Sequence, residues 1–357
     1  MSRRKLVLLV VLILVLALGG FAVKTYYQAG ELKDLKPYSR WDCRKTTGLP
    51  GSEDITIDPR TGLAFISAAD FRARNLEGKY PRGDVYGYDL AAAEPALVNL
   101  TASFERPFFP HGLGLYQAPD GGATLFVVNH QPEASYVEIF DLAGGRLAHR
   151  RTVSGPLLHS PNDVIPVGPD RFYVTNDHGS TSKPGRTLEE YLQLARAQVL
   201  YFDGQNFSLV AGGLAYANGV NLSPDGGRLY VAETVGRRLR VYDRDQASGG
   251  LKPAGVHDLD TGADNIEVDA AGRLWIGCHP KLLTFVGYSK DPAKHSPSQV
   301  VRAEVVPGHG FVAVTEYLNL GEEISGSSVG AAYGDFLLIG SVFDDCFLAC
   351  RPRAGTD

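Results

Sequence analysis

Outside its first few residues the chain has no block of basic side chains. Its net charge is −5, so it offers no electrostatic footprint for nucleic acid. It has no low-complexity linker and no break in composition, so no second-domain boundary shows. Cysteines are few: Cys43, Cys278, Cys346 and Cys350. Their spacings do not match a zinc site, and none follows the apolar N-terminal run closely, which argues against a bacterial lipid anchor.

What the chain does have is glycine (41), proline (21), tyrosine (17) and phenylalanine (16), a mixture that suits short strands joined by tight turns. Its N-terminus reads Ser2-Arg3-Arg4-Lys5 and is then wholly apolar or glycine from Leu6 to Val23. That run approaches the length needed to span a bilayer. Two readings compete: an uncleaved signal-anchor, or a cleaved signal peptide. Phe21-Ala22-Val23-Lys24 makes a poor cleavage site. The positive flank stays cytoplasmic in either case, so the remainder is exported. The expected organisation is a cytoplasmic stub and membrane helix over 1–28 and one domain over 29–357.

A pattern recurs through that domain. A short polar group opens an apolar strand, a turn follows, and a second apolar strand succeeds it. The openings are Ser52-Glu53-Asp54, Pro110-His111-Gly112, Pro161-Asn162-Asp163, Ala217-Asn218-Gly219, Asp264-Asn265-Ile266 and Ser327-Ser328-Val329. Six copies at roughly 46 to 63 residues predict an all-β, six-bladed β-propeller with a central channel. Cys43 precedes the first copy, and Cys346 and Cys350 follow the last, so a bridge from start to end would close a circular fold. One stretch breaks the β pattern. Leu188, Tyr191, Leu192, Ala195 and Val199 share a face at helical spacing, which predicts a short inserted helix over Thr187–Val199. It would serve as a lid, a membrane-facing element, or simply a helix packed on the propeller.

Equivalent repeat positions occupy equivalent places about the axis, so the opening groups should ring one mouth of the channel. The ring offers carboxylate and amide oxygens, one histidine and no cysteine. Such hard donors suit calcium, whereas zinc prefers nitrogen or sulfur. Asn and Asp at strand starts are also common turn formers, which is the plainer account of any one of them. Glu53 and Asp54 are neighbours in one strand, so alternation sends them to opposite faces. Asn162 and Asp163 repeat that arrangement, which separates two metal sites.

These motifs, with Asn129-His130, Thr175-Asn176-Asp177-His178 and Gly277-Cys278-His279-Pro280, resemble those of the paraoxonase/arylesterase family in order over about residues 40 to 350. The resemblance implies a calcium-dependent hydrolase of lactones and aryl esters with two ions. The catalytic calcium would be held by Glu53, Asn162, Asn218, Asp264 and Asn265. The structural calcium would be held by Asp54, Asp163 and the carbonyl of Leu113. His111 and His130 match the family's histidine pair, with His111 or Glu53 as general base. Cys43 matches one half of the family's terminal disulfide. Cys350 is the closer match to the other half, displaced by one residue, and Cys278 matches a free cysteine. Asp344 stands where mammalian members carry histidine, and Phe71 falls in a segment that shapes the pocket. Both bear on substrate preference.

Other classes were weighed. Gly326-Ser327-Ser328-Val329-Gly330 fits G-x-S-x-G, but a nucleophile elbow needs a strand-to-helix turn, and strand follows here. Gluconolactonase-like and strictosidine-synthase-like propellers, or a non-catalytic membrane-tethered binding propeller, share the architecture. The full set of calcium ligands argues against the last two.

Overall fold

The computed structural model describes residues 2–306 and 310–354. Among these, six antiparallel sheets form, each of four strands except one that gains a fifth, Tyr38–Ser39. The first strands of the sheets are Ser52–Ile57, Pro110–Gln117, Pro161–Pro166, Ala217–Leu222, Gly262–Val268 and Ser327–Tyr333. Each touches the first strand of the next sheet, and the last touches the first, so they form a closed ring about an axis. The six-bladed propeller expected from the repeat is therefore the observed fold.

Alternating side chains explain the packing. Each blade buries one face against each neighbour, giving six apolar clusters, each drawn from two adjacent blades. Phe126 and Val128 meet Val164, Phe172 and Val174 between the second and third blades. Ile55 and Ile66 meet Val329, Leu338 and Phe347 where the sixth blade meets the first. The circle is closed by exchange of ends: strand Trp41–Thr47 from the N-terminal side completes the sixth blade beside Cys346–Pro352. In that pairing Cys43 lies opposite Cys350, and the two form a disulfide across 307 residues of sequence. Cys278 and Cys346 are buried free thiols.

Every first strand carries an irregularity where its polar opening residue sits. The register shifts between Ser52 and Asp54, Pro110 and Leu113, Pro161 and Val164, Ala217 and Val220, Ala263 and Ile266, and Ser327 and Val329. Bulges of this kind re-aim side chains and free backbone groups. Hydroxyls of the second strand satisfy some of these: Ser67 accepts from Asp54 N–H and Thr175 from Asp163 N–H, both at 3.1 Å. Glycine makes the crowding possible. A Cβ on Gly112 would lie 2.4 Å from Asp163 Cα, and one on Gly219 would lie 2.5 Å from the Asp264 carbonyl oxygen.

Among the described residues four helices accompany the sheets. α1, Arg3–Gln28, has no buried residue and is long and apolar enough to cross a membrane, with mean hydropathy 3.2 over its apolar window. α2, Phe71–Glu77, is capped by Asp70 and stopped by Gly78 at φ 65°. α3, Lys183–Leu192, is the inserted helix, but it starts and stops earlier than the pattern predicts. Gln193 turns left-handed at φ 55° and ends it. Val199 belongs instead to strand Ala197–Phe202, where its β-branched side chain is fully buried. α4, Leu282–Lys290, has no side-chain cap of its own. Glu31 supplies one from just beyond α1, accepting from Leu283 N–H at 2.8 Å and Thr284 N–H at 3.0 Å.

Candidate metal centre

The bulged strands carry most of the predicted residues, and Glu53 lies within reach of Asn265 and His111. Glu53, Asp54, His111, His130, Asn162, Asp163, Asn218, Asp264 and Asn265 are all buried, from 1% exposed for Asn265 to 8% for His111. Burial of so many polar groups demands partners. Most of the nitrogens have them. Asn265 Nδ2 donates to Glu53 Oε1 at 3.1 Å, and Asn218 Nδ2 donates to Thr234 Oγ1 at 3.0 Å.

The oxygens behave differently. Glu53 Oε2, Asn162 Oδ1, Asn218 Oδ1, Asp264 Oδ1 and Asn265 Oδ1 are buried and accept no hydrogen bond. They are one oxygen from each of the five residues that the resemblance assigns to a catalytic ion. Four blades contribute, and all five atoms are hard donors. Two are carboxylate and three are amide oxygens, so the set carries two negative charges to match a divalent cation. Asp264 and Asn265 are consecutive, yet both leave an oxygen free here. Simple alternation does not hold across them, because the register shifts between Ala263 and Ile266.

The second group has another character. Asp54 accepts from Ile55 N–H at 2.9 Å and Leu113 N–H at 2.7 Å. Asp163 accepts from Val164 and Val220 N–H, each at 2.7 Å. Burial, then the charge of Glu53, pushes the Asp54 carboxyl well above its ordinary range. Burial, then the charge of Asp54, does the same to Asp163. The Asp163 carboxyl therefore feels the charge of Asp54.

His111 Nδ1 lies 2.9 Å from His130 Nε2, and His111 Nε2 lies 3.4 Å from Glu53 Oε1. His130 Nδ1 meets Ser135 Oγ at 3.0 Å. Burial foremost, with the positive charge of Arg74 next, holds His130 well below the usual histidine range. Phe71 packs on His111, with the two rings 4.9 Å apart. Asp344 accepts from the Tyr288 hydroxyl and, at 2.8 Å, from Ser325 N–H.

Two contributors had no assigned role at the level of sequence. His279 Nε2 bonds Asp264 Oδ2 at 2.7 Å, offsetting the burial that raises this carboxyl, and its ring stacks on Phe285 at 3.8 Å. Ser328 Oγ donates to the Glu53 carbonyl at 2.5 Å. The hydroxyl is thus a strut between the sixth and first blades, not the nucleophile of an elbow. Burial pushes the Cys278 thiol up, which leaves it inert.

A six-bladed propeller with buried, unpartnered oxygens on its first strands and a bonded histidine pair defines the class of protein. Comparison gives the family. A model of the Arylesterase family matches residues 38–351. Human serum paraoxonase/arylesterase 1 is 34% identical over 322 residues, covering 87% of this chain and 89% of that protein. Rabbit serum paraoxonase/lactonase 3 is 33% identical, covering 95% and 97%. The chain belongs to the arylesterase family, that of the serum paraoxonases. Among solved structures, a gluconolactonase from Xanthomonas campestris aligns with TM-score 0.53 at 18% identity, covering 90% of this chain and 96% of that one. The calcium-binding protein regucalcin from Agrobacterium tumefaciens aligns with TM-score 0.52 at 16% identity, covering 89% and 98%. Both share the fold.

Proposed function

We propose that this chain is a calcium-dependent hydrolase of lactones and aryl esters. The observation that carries the reading is the set of five partnerless buried oxygens from Glu53, Asn162, Asn218, Asp264 and Asn265. Leaving five such acceptors unpaired is expensive unless a cation completes them. Bound there, calcium would polarise the substrate carbonyl and offset the negative charge that develops on its oxygen.

The protein's own part is positioning and proton transfer. With His111 Nδ1–H donating to His130 Nε2, the His111 Nε2 lone pair is free and can take a proton from water. His130 in turn donates a hydrogen bond from Nδ1–H to Ser135 Oγ, which fixes that tautomer. Glu53 Oε1, 3.4 Å from His111 Nε2, stabilises the imidazolium as it forms. His279 holds the Asp264 carboxylate in place, and Phe71 packs on His111. A second calcium, between Asp54, Asp163 and the Leu113 carbonyl, would relieve the repulsion that raises both carboxyls. On the same reading α1 anchors the protein in a membrane, with the propeller on the exported side, where the Cys43–Cys350 bridge is at home. If the segment is cleaved, the propeller is secreted.

The test is hydrolysis of a simple lactone and of phenyl acetate with and without prolonged EDTA treatment. Loss of both activities, with a lowered melting temperature that calcium restores, is expected. Full activity and unchanged melting in EDTA overturn the reading.

A further inference from the structure

Arg74 stands apart from the other charged groups near the histidine pair. It lies in the last turn of α2 and is half-buried. Its guanidinium carbon sits 6.0 Å from the Phe71 ring centroid, 5.9 Å from Tyr80 and 5.8 Å from Phe109. Phe71 packs edge-on against Phe109 at 5.0 Å and touches His111 at 4.9 Å. The positive charge therefore rests on an aromatic shelf whose other side is the candidate base.

That charge has no anionic partner. Among the described residues the Arg74 guanidinium makes neither an ion pair nor a hydrogen bond; only its backbone is bonded, within the helix. The neighbouring acids are committed elsewhere. Asp177 and Glu190 hold His178, Asp344 holds Tyr288 and the Ser325 N–H, and Asp70 caps α2. The other arginines nearby are bonded to carbonyls: Arg72 to that of Tyr288, and Arg186 to those of Ser180 and His159. Aromatic faces attract a guanidinium, but they leave its five N–H donors without acceptors. The planar fork of arginine matches a carboxylate in two parallel hydrogen bonds, and partial removal from water strengthens them.

We propose that Arg74 is a specificity residue that receives an anion, and that the substrates of this chain are lactones or esters carrying a carboxylate remote from the reacting carbonyl. The proposal rests on the hydrolase reading above and adds the class of substrate. The apolar body of such a molecule lies along Phe71 and Phe109, its carbonyl reaches the unpartnered oxygens, and its carboxylate meets Arg74.

The experiment compares a lactone bearing a carboxylate side chain with its neutral methyl ester, for wild type, Arg74→Met and Arg74→Lys. Wild type should favour the anion in kcat/KM. That preference should fall about tenfold or more in Arg74→Met, as expected for loss of one charge-assisted contact, and by less in Arg74→Lys. Equal preference ratios in wild type and Arg74→Met overturn the proposal. Calorimetric binding of the corresponding carboxylate-bearing cyclic ether, which has no scissile carbonyl, separates the two readings. If wild type hydrolyses neither lactone, the hydrolase reading fails, whereas tighter ether binding by wild type than by Arg74→Met still supports the anion site. Equal ether binding overturns the anion site whatever the activities show.

Discussion

Replacing both Cys43 and Cys350 by alanine removes the covalent closure of the ring while leaving its strand pairing in place. The bridge joins residues 307 apart in sequence. In the chain-entropy model a loop of that length is worth roughly 6 kcal/mol of destabilised unfolded chain. That figure is a ceiling, because compact unfolded ensembles already restrict the ends. Unfolding entropy scales with size, so in a propeller of about 310 residues 1 kcal/mol moves the melting temperature by only about 1.5 °C. The double variant should therefore melt up to roughly 9 °C lower than wild type, and by about 4 °C if half the ceiling is realised. Wild type in strong reductant should approach the variant. Cys278→Ala serves as the control for a buried free thiol. The assay is a calorimetric melt under oxidising and reducing conditions, with non-reducing peptide mapping to identify the bridge. A double variant within about 2 °C of wild type, with the Cys43–Cys350 peptide present in wild type, would refute the reasoning about closure.

Asn218→Ala or Glu53→Ala should remove most turnover, whereas Asp54→Ala or Asp163→Ala should impair folding, because each leaves the other buried carboxyl without its surroundings. Activity per folded molecule and melting temperature on the same four variants decide this, and an Asp163→Ala protein that melts like wild type yet is inactive sinks the two-ion assignment. Gly219→Ala places a Cβ 2.5 Å from the Asp264 carbonyl oxygen, so it should destabilise by about 1–3 kcal/mol and weaken calcium binding measured by titration. His178 is pulled down by burial, but hydrogen bonds to Asp177 and Glu190 outweigh this and raise it to about 9. Its contribution is thus fully present below the ordinary value of 6.5 and lost as pH rises through about 9. The melting difference between wild type and His178→Gln should accordingly shrink over that interval, and a difference independent of pH from 6 to 10 would count against the α3 clamp.

The blades were legible because each first strand couples a polar opening to an apolar run, and that pattern survives in a single sequence. The closing disulfide was legible to the extent that cysteines flanked the array. The bulges were not. A bulge is a mismatch of register between two strands, and no single strand contains it. Strand parity alone would have placed Asp264 and Asn265 on opposite faces, yet the register shifts across them and both leave a buried oxygen unpartnered. α2 carried a readable signature in Asp70 and Gly78 that went unused. α4 carried none, since its cap comes from Glu31, some 250 residues away in sequence. The partnership of His279 with Asp264 also depends on two strands meeting, although Gly277-Cys278-His279-Pro280 had stood out as a motif. The early end of α3 follows from strand pairing by Val199, a tertiary demand that helical spacing cannot express.

The six register shifts make the first strands a collar of equivalent sockets. Each socket holds its side chain by the same local backbone device, and each is filled differently: Glu53, His111, Asn162, Asn218, Asp264 with Asn265, and Ser328. Changing one occupant alters charge or donor type at a fixed radius from the axis without redrawing the backbone. Donor type and charge along the channel are in that sense written as a six-letter word on one scaffold. Divergence within such a propeller can then proceed one letter at a time.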